Sequence, residues 1–299
     1  MMKRVLNFGS LNIDYVYQVE HIVRPGETIP SSNLSVFCGG KGLNQSIALA
    51  RAGADVFHAG CAGKADGQML LDELLAAGVN VDNIQLTDTR SGNAIIQVDK
   101  NGENSIVLFG GANQCITMEQ IDQTLASFNK GDILLLQNEI NHIDQIMNKA
   151  SKLGLTIGFN PAPCNKDVQH FPLHLVDIMI LNEVEGRDII NFDGNCTEQM
   201  MEALCKKFPK TKKVLTLGQH GVIYHDGQDT YHQESFKVPV VDTTAAGDTF
   251  TGFFLAGLAK GEVSHHMIKT ASMAAAIAVS RMGAAASIPT MDEVNLTDL

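Results

Sequence analysis

Asp132-Ile-Leu-Leu-Leu-Gln137, a helical run from His142 to Leu153, and then Leu155-Thr-Ile-Gly-Phe159 form the stretch that decides the architecture. The two short apolar runs read as buried strands and the segment between them as their crossover helix. The alternation continues in both directions. Downstream, Asp177–Leu181 reads as strand, Met200–Phe208 as helix and Val214–Leu217 as strand. Upstream, Met118–Phe128 reads as helix, Val56–Gly60 as strand, and Gln68–Ala77 as a helix stopped by Gly78. Val5–Ser10 reads as the first buried strand. Strands separated by helices predict a parallel sheet wound with right-handed crossovers and covered on both faces.

In such a sheet ligands bind at the carboxyl ends of the strands. Glu139, Asn160, Asn182 with Glu185, and Thr216 with Gly218 all fall at strand ends. Each alone reads equally as a helix cap. Their arrival on one edge points instead to a binding edge.

Composition bounds the rest. With 299 residues, 44% of them hydrophobic, the chain can form one large α/β domain. A formal charge of -11 excludes a basic nucleic-acid or acidic-membrane surface as the main role. Six scattered cysteines without a CxxC pair form neither a disulfide framework nor a zinc site, which predicts reduced thiols and a cytoplasmic protein. The N-terminal apolar run is too short for a signal peptide, and no apolar segment reaches membrane-spanning length.

Three local patterns carry chemistry. Asn12 and Asp14 alternate with Ile13 and Tyr15, so on an extended segment both polar side chains face one way. They read as a turn-forming pair or as ligands for a hydroxyl-rich molecule. Gly39-Gly-Lys-Gly-Leu-Asn-Gln45 lacks the Walker A spacing and leads into a helix over Leu43–Ala52 closed by Gly53. Its backbone at Gly40 and Gly42, with Lys41 and Asn44 projecting, suits a polyhydroxylated ligand, against the alternative of a structural glycine turn. The third is Val241-Asp-Thr-Thr-Ala-Ala-Gly-Asp-Thr-Phe250. It is expected to join a strand over Phe236–Val241 to an apolar helix over Phe250–Ala259, with free N–H groups at the helix start where anions bind. Asp248 there is either an acid complementing the helix dipole or a base beside a phosphoryl group.

Ala94–Lys100 and Glu103–Phe109 flank Asn101-Gly102, predicting a hairpin with a two-residue turn, Ile96 opposite Val107 and Ile95 opposite Leu108. Both faces of that sheet are then partly apolar. Gly221–Tyr224 and Gln228–Val241 read as a short antiparallel extension, and the helix over Met267–Arg281 as buried nearly all round.

Taken in order, Gly9-Ser-Leu-Asn-Ile-Asp14, the Gly39–Gln45 loop, Asn160-Pro-Ala-Pro163, Asn182-Glu-Val-Glu185, Thr216-Leu-Gly-Gln-His-Gly221 and Asp242–Phe250 resemble the ribokinase (PfkB-type) family of carbohydrate kinases over essentially the whole chain. The resemblance implies a ribokinase-like α/β fold: one domain over residues 1–299, a mostly parallel central sheet, and a small β-sheet lid from about 13–38 and 93–110. It implies ATP-dependent phosphorylation of D-ribose at O5. Asp248 would be the general base, and the N–H groups of Ala245, Ala246 and Gly247 an anion hole. Asn12, Asp14, Gly40, Lys41, Gly42, Asn44 and Glu139 would hold the sugar. Asn182, Thr216, Gly218, Gly221, Gly247 and Ser272 would surround ATP. Glu185 with Asn182 would organise magnesium through water, and Asp242, Thr244, Ala278, Arg281, Gly283 and Ser287 would form a potassium site. A homodimer through the lid is implied as well. Ala245 stands where many members of the family carry glycine. A sister kinase acting on deoxyribose, fructose or a nucleoside, and a catalytically silent sugar-binding protein, are the alternatives.

Overall fold

The computed structural model describes residues 2–194 and 196–297; Met1, Asn195, Asp298 and Leu299 lie outside them. The chain begins β1 (Arg4–Phe8), β2 (Asn12–Gln18), β3 (Asn33–Gly39), α1 (Lys41–Arg51), β4 (Asp55–Gly63), α2 (Gln68–Ala76) and β5 (Asn80–Thr87). It continues β6 (Gly92–Val98), β7 (Asn104–Phe109), α3 (Met118–Leu125), β8 (Ile133–Gln137), α4 (Ile143–Leu153), β9 (Thr156–Asn160) and β10 (Ile178–Asn182). The rest is α5 (Glu183–Ile190), α6 (Thr197–Lys207), β11 (Lys212–Thr216), β12 (Val222–His225), β13 (Thr230–Gln233), α7 (Ala246–Lys260), α8 (Ser264–Val279) and α9 (Met291–Leu296). The large sheet runs β13-β12-β11-β10-β9-β8-β1-β4-β5, parallel from β11 to β5 with β12 and β13 antiparallel at its edge.

The period-two alternation of the strands divides the core. Ile133 and Leu135 of β8 enter one layer with Leu43 and Ile47 of α1, Phe253 of α7 and Ile268 of α8. Leu134 and Leu136 enter the opposite layer with Ile121 of α3, Ile146 of α4 and Leu204 of α6. Helices therefore cover both faces, as the alternation predicts. No helix among the described residues is long and apolar enough to cross a membrane. Strand β5, whose sequence is largely polar, and helix α5 escape a periodicity reading; α5 is set by a reciprocal capping box between Asn182 and Glu185.

A second sheet, β3-β2-β6-β7, projects from the first. Its hairpin differs from expectation by one residue: Ile96 pairs with Ile106, and Ile95 with Val107. The two-residue turn gives way because the Asp99 carboxylate accepts from the N–H groups of Asn101 and Glu103, while Gly102 takes φ +83°. Asp99 N and Glu103 O close the loop, giving the longer turn with a left-handed glycine. Both faces remain apolar after the shift. Val36, Ile95 and Val107 lie on one face, and Phe37, Ile106 and Leu108 on the other, all exposed.

The strand expected over Phe236–Val241 does not form. Pro239 has no N–H to donate to a ladder. The segment is instead tethered at its end, where Val241 N and Asp242 N both donate to Val279 O at the close of α8. Helix α7 then starts at Ala246, and it is buried along most of its length as predicted.

Helices α1 and α7 cross at closest approach over Gly252, where an added Cβ would lie 2.8 Å from Leu49 N. This contact sets the spacing of their first turns. Gly252→Val is expected to lower the unfolding free energy by roughly 1–3 kcal/mol, because backbone must move to admit the side chain. Urea denaturation followed by circular dichroism reads the change; an unaltered midpoint would mean the helices are not held by this crossing.

Candidate active site

Helix α7 begins from an unusual residue. Ala245 has φ 60° and ψ 8°, the left-handed region, and its carbonyl accepts from Thr249 N at 2.8 Å. For an alanine this conformation costs about 1–2 kcal/mol, which explains why glycine is the easier residue there. The turn leaves donors exposed: the N–H groups of Ala245 and Gly247 meet no protein acceptor, and that of Ala246 makes only a 3.3 Å bond to Thr243 O. An added Cβ on Gly247 would meet nothing within 4 Å, so there is room for a ligand over these donors. Unpaired N–H groups at a helix start make an anion site.

Asp248 stands in this first turn and faces the first turn of α1. Its Oδ2 accepts from Asn44 Nδ2 at 3.0 Å and its Oδ1 from Gln45 Nε2 at 2.8 Å. The two donors are sequence neighbours because α1 starts at Lys41, directly after Gly40 at φ 94°. That start in turn depends on Ser10. The Ser10 hydroxyl donates to Glu139 Oε2 and accepts from Gly42 N, while Glu139 Oε2 also accepts from Lys41 N at 3.1 Å. Glu139 thus lies at the N-terminus of α1 as Asp248 lies at that of α7.

Asn12 and Asp14 lie on one face of β2, where Asp14 feels the charges of Glu139 and Lys41. Asn12 Oδ1 accepts from Asn113 Nδ2 at 2.7 Å, and Asn113 Oδ1 accepts from Leu11 N, so Asn113 holds Asn12 in place. Burial, with the Glu139 charge nearby, pushes the Asp14 carboxyl up to about 7 despite Lys41. Burial also raises Glu139, against the pull of Lys41. For Lys41 itself burial disfavours the charge, but Asp248, Glu139, Glu185 and Asp14 together outweigh it and hold the ammonium above its usual range. One lysine therefore serves a ring of carboxylates.

On the other side of α7 a cavity of about 680 Å³ opens. Thr216, Gly218, Gly221, Gly247 and Ser272 line it, joined by apolar side chains including Phe236, Val240 and Val279. Its size suits a nucleotide. The unpaired segment around Pro239 supplies much of this apolar wall, so what failed as a strand serves as a pocket rim. Asn182 is not among the lining residues; its amide oxygen accepts from Glu185 N, and its own N–H donates to Glu185 Oε2, each at 2.9 Å. The ordinary helix-cap reading of this pair is therefore correct, although one Glu185 carboxylate oxygen stays free. Burial first, then Asp248 and Asp188, raises the Glu185 carboxyl. An arriving hard cation would relieve that burden.

Of the residues matched to a monovalent-cation site, Thr244 and Gly283 meet the Asp242 carboxylate. Its Oδ1 accepts from Thr244 N and Thr244 Oγ1, and its Oδ2 from Gly283 N at 3.0 Å. Buried Ser287 donates to Ala284 O. Arg281 turns away to pair with Glu293, which leaves only its backbone near this cluster, while Arg281 N donates to Ala278 O. The donors are all oxygens, which suits a hard cation. Among the described residues no group of three His, Cys, Asp or Glu side chains forms a conventional metal cluster.

Sequence reading missed Asn113, Ser10 and the role of Gln45. Asn113 follows Gly110-Gly-Ala directly, a run of small residues just after the hairpin, and that was its only signal.

A model of the pfkB family carbohydrate kinases matches residues 2–291. The curated ribokinase of Staphylococcus aureus is 35% identical, with 99% of each chain covered. A crystal structure of Cryptococcus neoformans ribokinase in complex with ADP superposes with a TM-score of 0.86 at 34% identity, covering 98% of this chain and 99% of that one. Arabidopsis thaliana ribokinase, solved with ribose and ATP, gives a TM-score of 0.88 at 27% identity over 99% and 98% of the two chains.

The raised Asp14 carboxyl has a consequence for stability. Between the ordinary aspartate value and about 7 the folded chain keeps a proton that the unfolded chain releases, so rising pH erodes folding across that window. Asp14→Asn removes the penalty. The variant is expected to gain stability relative to the parent as pH climbs from 4 to 7 and to hold that gain above it. Urea midpoints at several pH values measure this; a pH-independent difference would contradict the burial account.

Proposed function

The chain belongs to the pfkB family of carbohydrate kinases, and from that premise we propose how it phosphorylates D-ribose at O5 with ATP, giving ribose 5-phosphate and ADP. One observation supports the assignment above the others. The Asp248 carboxylate sits between polar side chains at the start of α1 and unpaired backbone N–H groups over a nucleotide-sized cavity on the other side.

In this reading the sugar occupies the hollow among Asn12, Asp14, Gly40, Lys41, Gly42, Asn44 and Glu139. Asn44 supplies a specific reason. Its Oδ1 is buried without a partner, a state that costs about 1–3 kcal/mol and that a sugar hydroxyl would end by donating to it. Asp248 accepts the proton of the attacking primary hydroxyl as its oxygen bonds to the γ-phosphorus and the bond to the departing ADP oxygen breaks. The N–H groups of Ala245, Ala246 and Gly247 stabilise charge on the moving phosphoryl group without reorganising. Thr216, Gly218, Gly221, Gly247 and Ser272 enclose the nucleotide, with Asn182 at the neighbouring strand end.

Magnesium would be held by the free oxygen of Glu185 through water, with Asn182 at its side, and would neutralise phosphate charge that the nearby carboxylates otherwise repel. Potassium would be held by the Asp242 and Thr244 side chains, Ser287, and the backbone of Ala278, Arg281 and Gly283, steadying the loop that carries the anion hole. The β2-β3-β6-β7 sheet acts as a lid on the sugar, and its exposed apolar rows support pairing of two lids in a homodimer. Six unpaired cysteines and the demand for ATP accord with a cytoplasmic setting.

Asp248→Asn is expected to lower kcat by roughly two to four orders of magnitude with little change in ribose or ATP binding. Coupled-assay rates with calorimetric binding measure both; unchanged turnover would remove Asp248 from the base role. Potassium is expected to raise the rate above that in sodium at equal ionic strength, and equal rates would exclude the Asp242 site. NMR of the product formed from a mixture of pentoses tests the sugar itself: phosphorylation of another pentose in preference to ribose would overturn the substrate.

A further inference from the structure

Beneath Asp248 lies a chain of buried side-chain amides whose orientations are fixed one by one. The oxygen and nitrogen ends of an amide match in shape, so only their partners decide which faces where. Gly42 O can only accept, so the Nδ2 of Asn7 faces it, at 2.7 Å, and gives its second hydrogen to Ser46 Oγ at 2.8 Å. Asn7 Oδ1 is then left to accept from Gln137 Nε2 at 2.9 Å, and the other Gln137 hydrogen goes to Gln45 Oε1 at 2.7 Å. The Nε2 of Gln45 must therefore point away, to Asp248 Oδ1 and to Asn160 Oδ1 at 3.1 Å. A second backbone carbonyl fixes Asn160: its Nδ2 donates to Ile180 O at 3.0 Å, which turns its oxygen to Gln45.

The far end of the chain is closed in the same way. His58 is fully buried, which holds its imidazole neutral, down to about 4. Its Nε2 faces Gly9 O, so its Nδ1 accepts the Ser46 hydroxyl and Ser46 Oγ is free to accept from Asn7. Asn7, Gln45, Ser46 and His58 have no exposed surface and Gln137 almost none. A rotated Gln45 would set oxygen against the Asp248 carboxylate and nitrogen against Gln137 nitrogen.

We infer that Gln45 is a positioning residue for the catalytic base, and that Gln137 and Asn7 act through it by dictating which end of its amide meets Asp248. The inference rests on the reading of Asp248 as the base. It distinguishes Gln45 from its neighbour Asn44, which also donates to Asp248 but keeps an unpartnered oxygen for the sugar. Gln45 has both hydrogens and its oxygen engaged within the protein and none left for a ligand.

Steady-state kinetics with ribose and ATP, together with thermal melts, test this on Gln45→Met, Gln137→Met, the double variant and Asp248→Asn. Gln45→Met is expected to lower kcat roughly 10- to 100-fold, as misplacement of a catalytic group does, with ribose KM within about threefold of the parent. Gln137→Met is expected to lower kcat by no more than that, and the double variant to match Gln45→Met alone, because the two act in series. Unchanged kcat in Gln45→Met, a loss confined to KM, or losses that multiply in the double variant would each overturn the inference. Should Gln45→Met lack a cooperative melt, Gln137→Met decides: reduced kcat at constant KM supports it, and parental kcat overturns it. Asp248→Asn separates the two readings. Retained turnover there sinks the base assignment, whereas its loss beside an active Gln45→Met sinks only the positioning role.

Discussion

The meeting of two helix starts, joined by the amide donors of Asn44 and Gln45 on the Asp248 carboxylate, is the constraint on which the site depends. Helix N-termini favour negative charge, and here α1 and α7 each hold an acid, Glu139 and Asp248. Asp14 and Glu185 add two more carboxylates, and Lys41 is the cation that feels all four. Such a ring would repel a polyphosphate if the start of α7 did not present N–H groups at Ala245 and Gly247. The arrangement suits a site that holds a neutral polyol beside a bound anion.

That geometry is fixed at a distance from the chemistry. Gly252 lets α7 approach α1 along their shared length, and Ser10 ties the start of α1 to Glu139 at the end of β8. Since β8 and β1 are adjacent parallel strands, the sheet itself determines where Glu139 and Ser10 stand. The strained Ala245 then sets the direction in which α7 opens its donors. Strain of this kind persists where surrounding structure over-determines the backbone, and the tether of Val241 and Asp242 to Val279 O supplies that.

The sheet and its layers were legible because they rest on periodicity: Ile133 to Leu136 alternate between two cores, and such patterns survive in one dimension. The polar strand ends were legible for the same reason, as position on a parallel strand implies an edge. What could not be read depended on particular side chains acting over long separations. Asp99 lengthened the hairpin by capturing two N–H groups, and no apolar pattern records that. Around Pro239 the valines suggest a strand, and the missing N–H of the proline makes the segment a loop. Asn113 and Gln45 look like ordinary polar residues until Asn12 and Asp248 are placed beside them. For Asn182 and Glu185 the sequence leaves a helix cap and a ligand site open, and the geometry shows the cap.

The failed strand also bears on how the start of α7 is held. A paired strand before α7 would have fixed the turn at Ala245 to the sheet. Instead the segment hangs between an apolar pocket wall and Asp242, whose carboxylate joins Thr244 to Gly283. Arg51, at the far end of α1, donates to the carbonyls of Ala285 and Ile288 in the loop between α8 and α9. Helix α1 is thus tied at both ends, through Gln45 to Asp248 at the start of α7 and through Arg51 to the loop that carries Ala285 and Ile288.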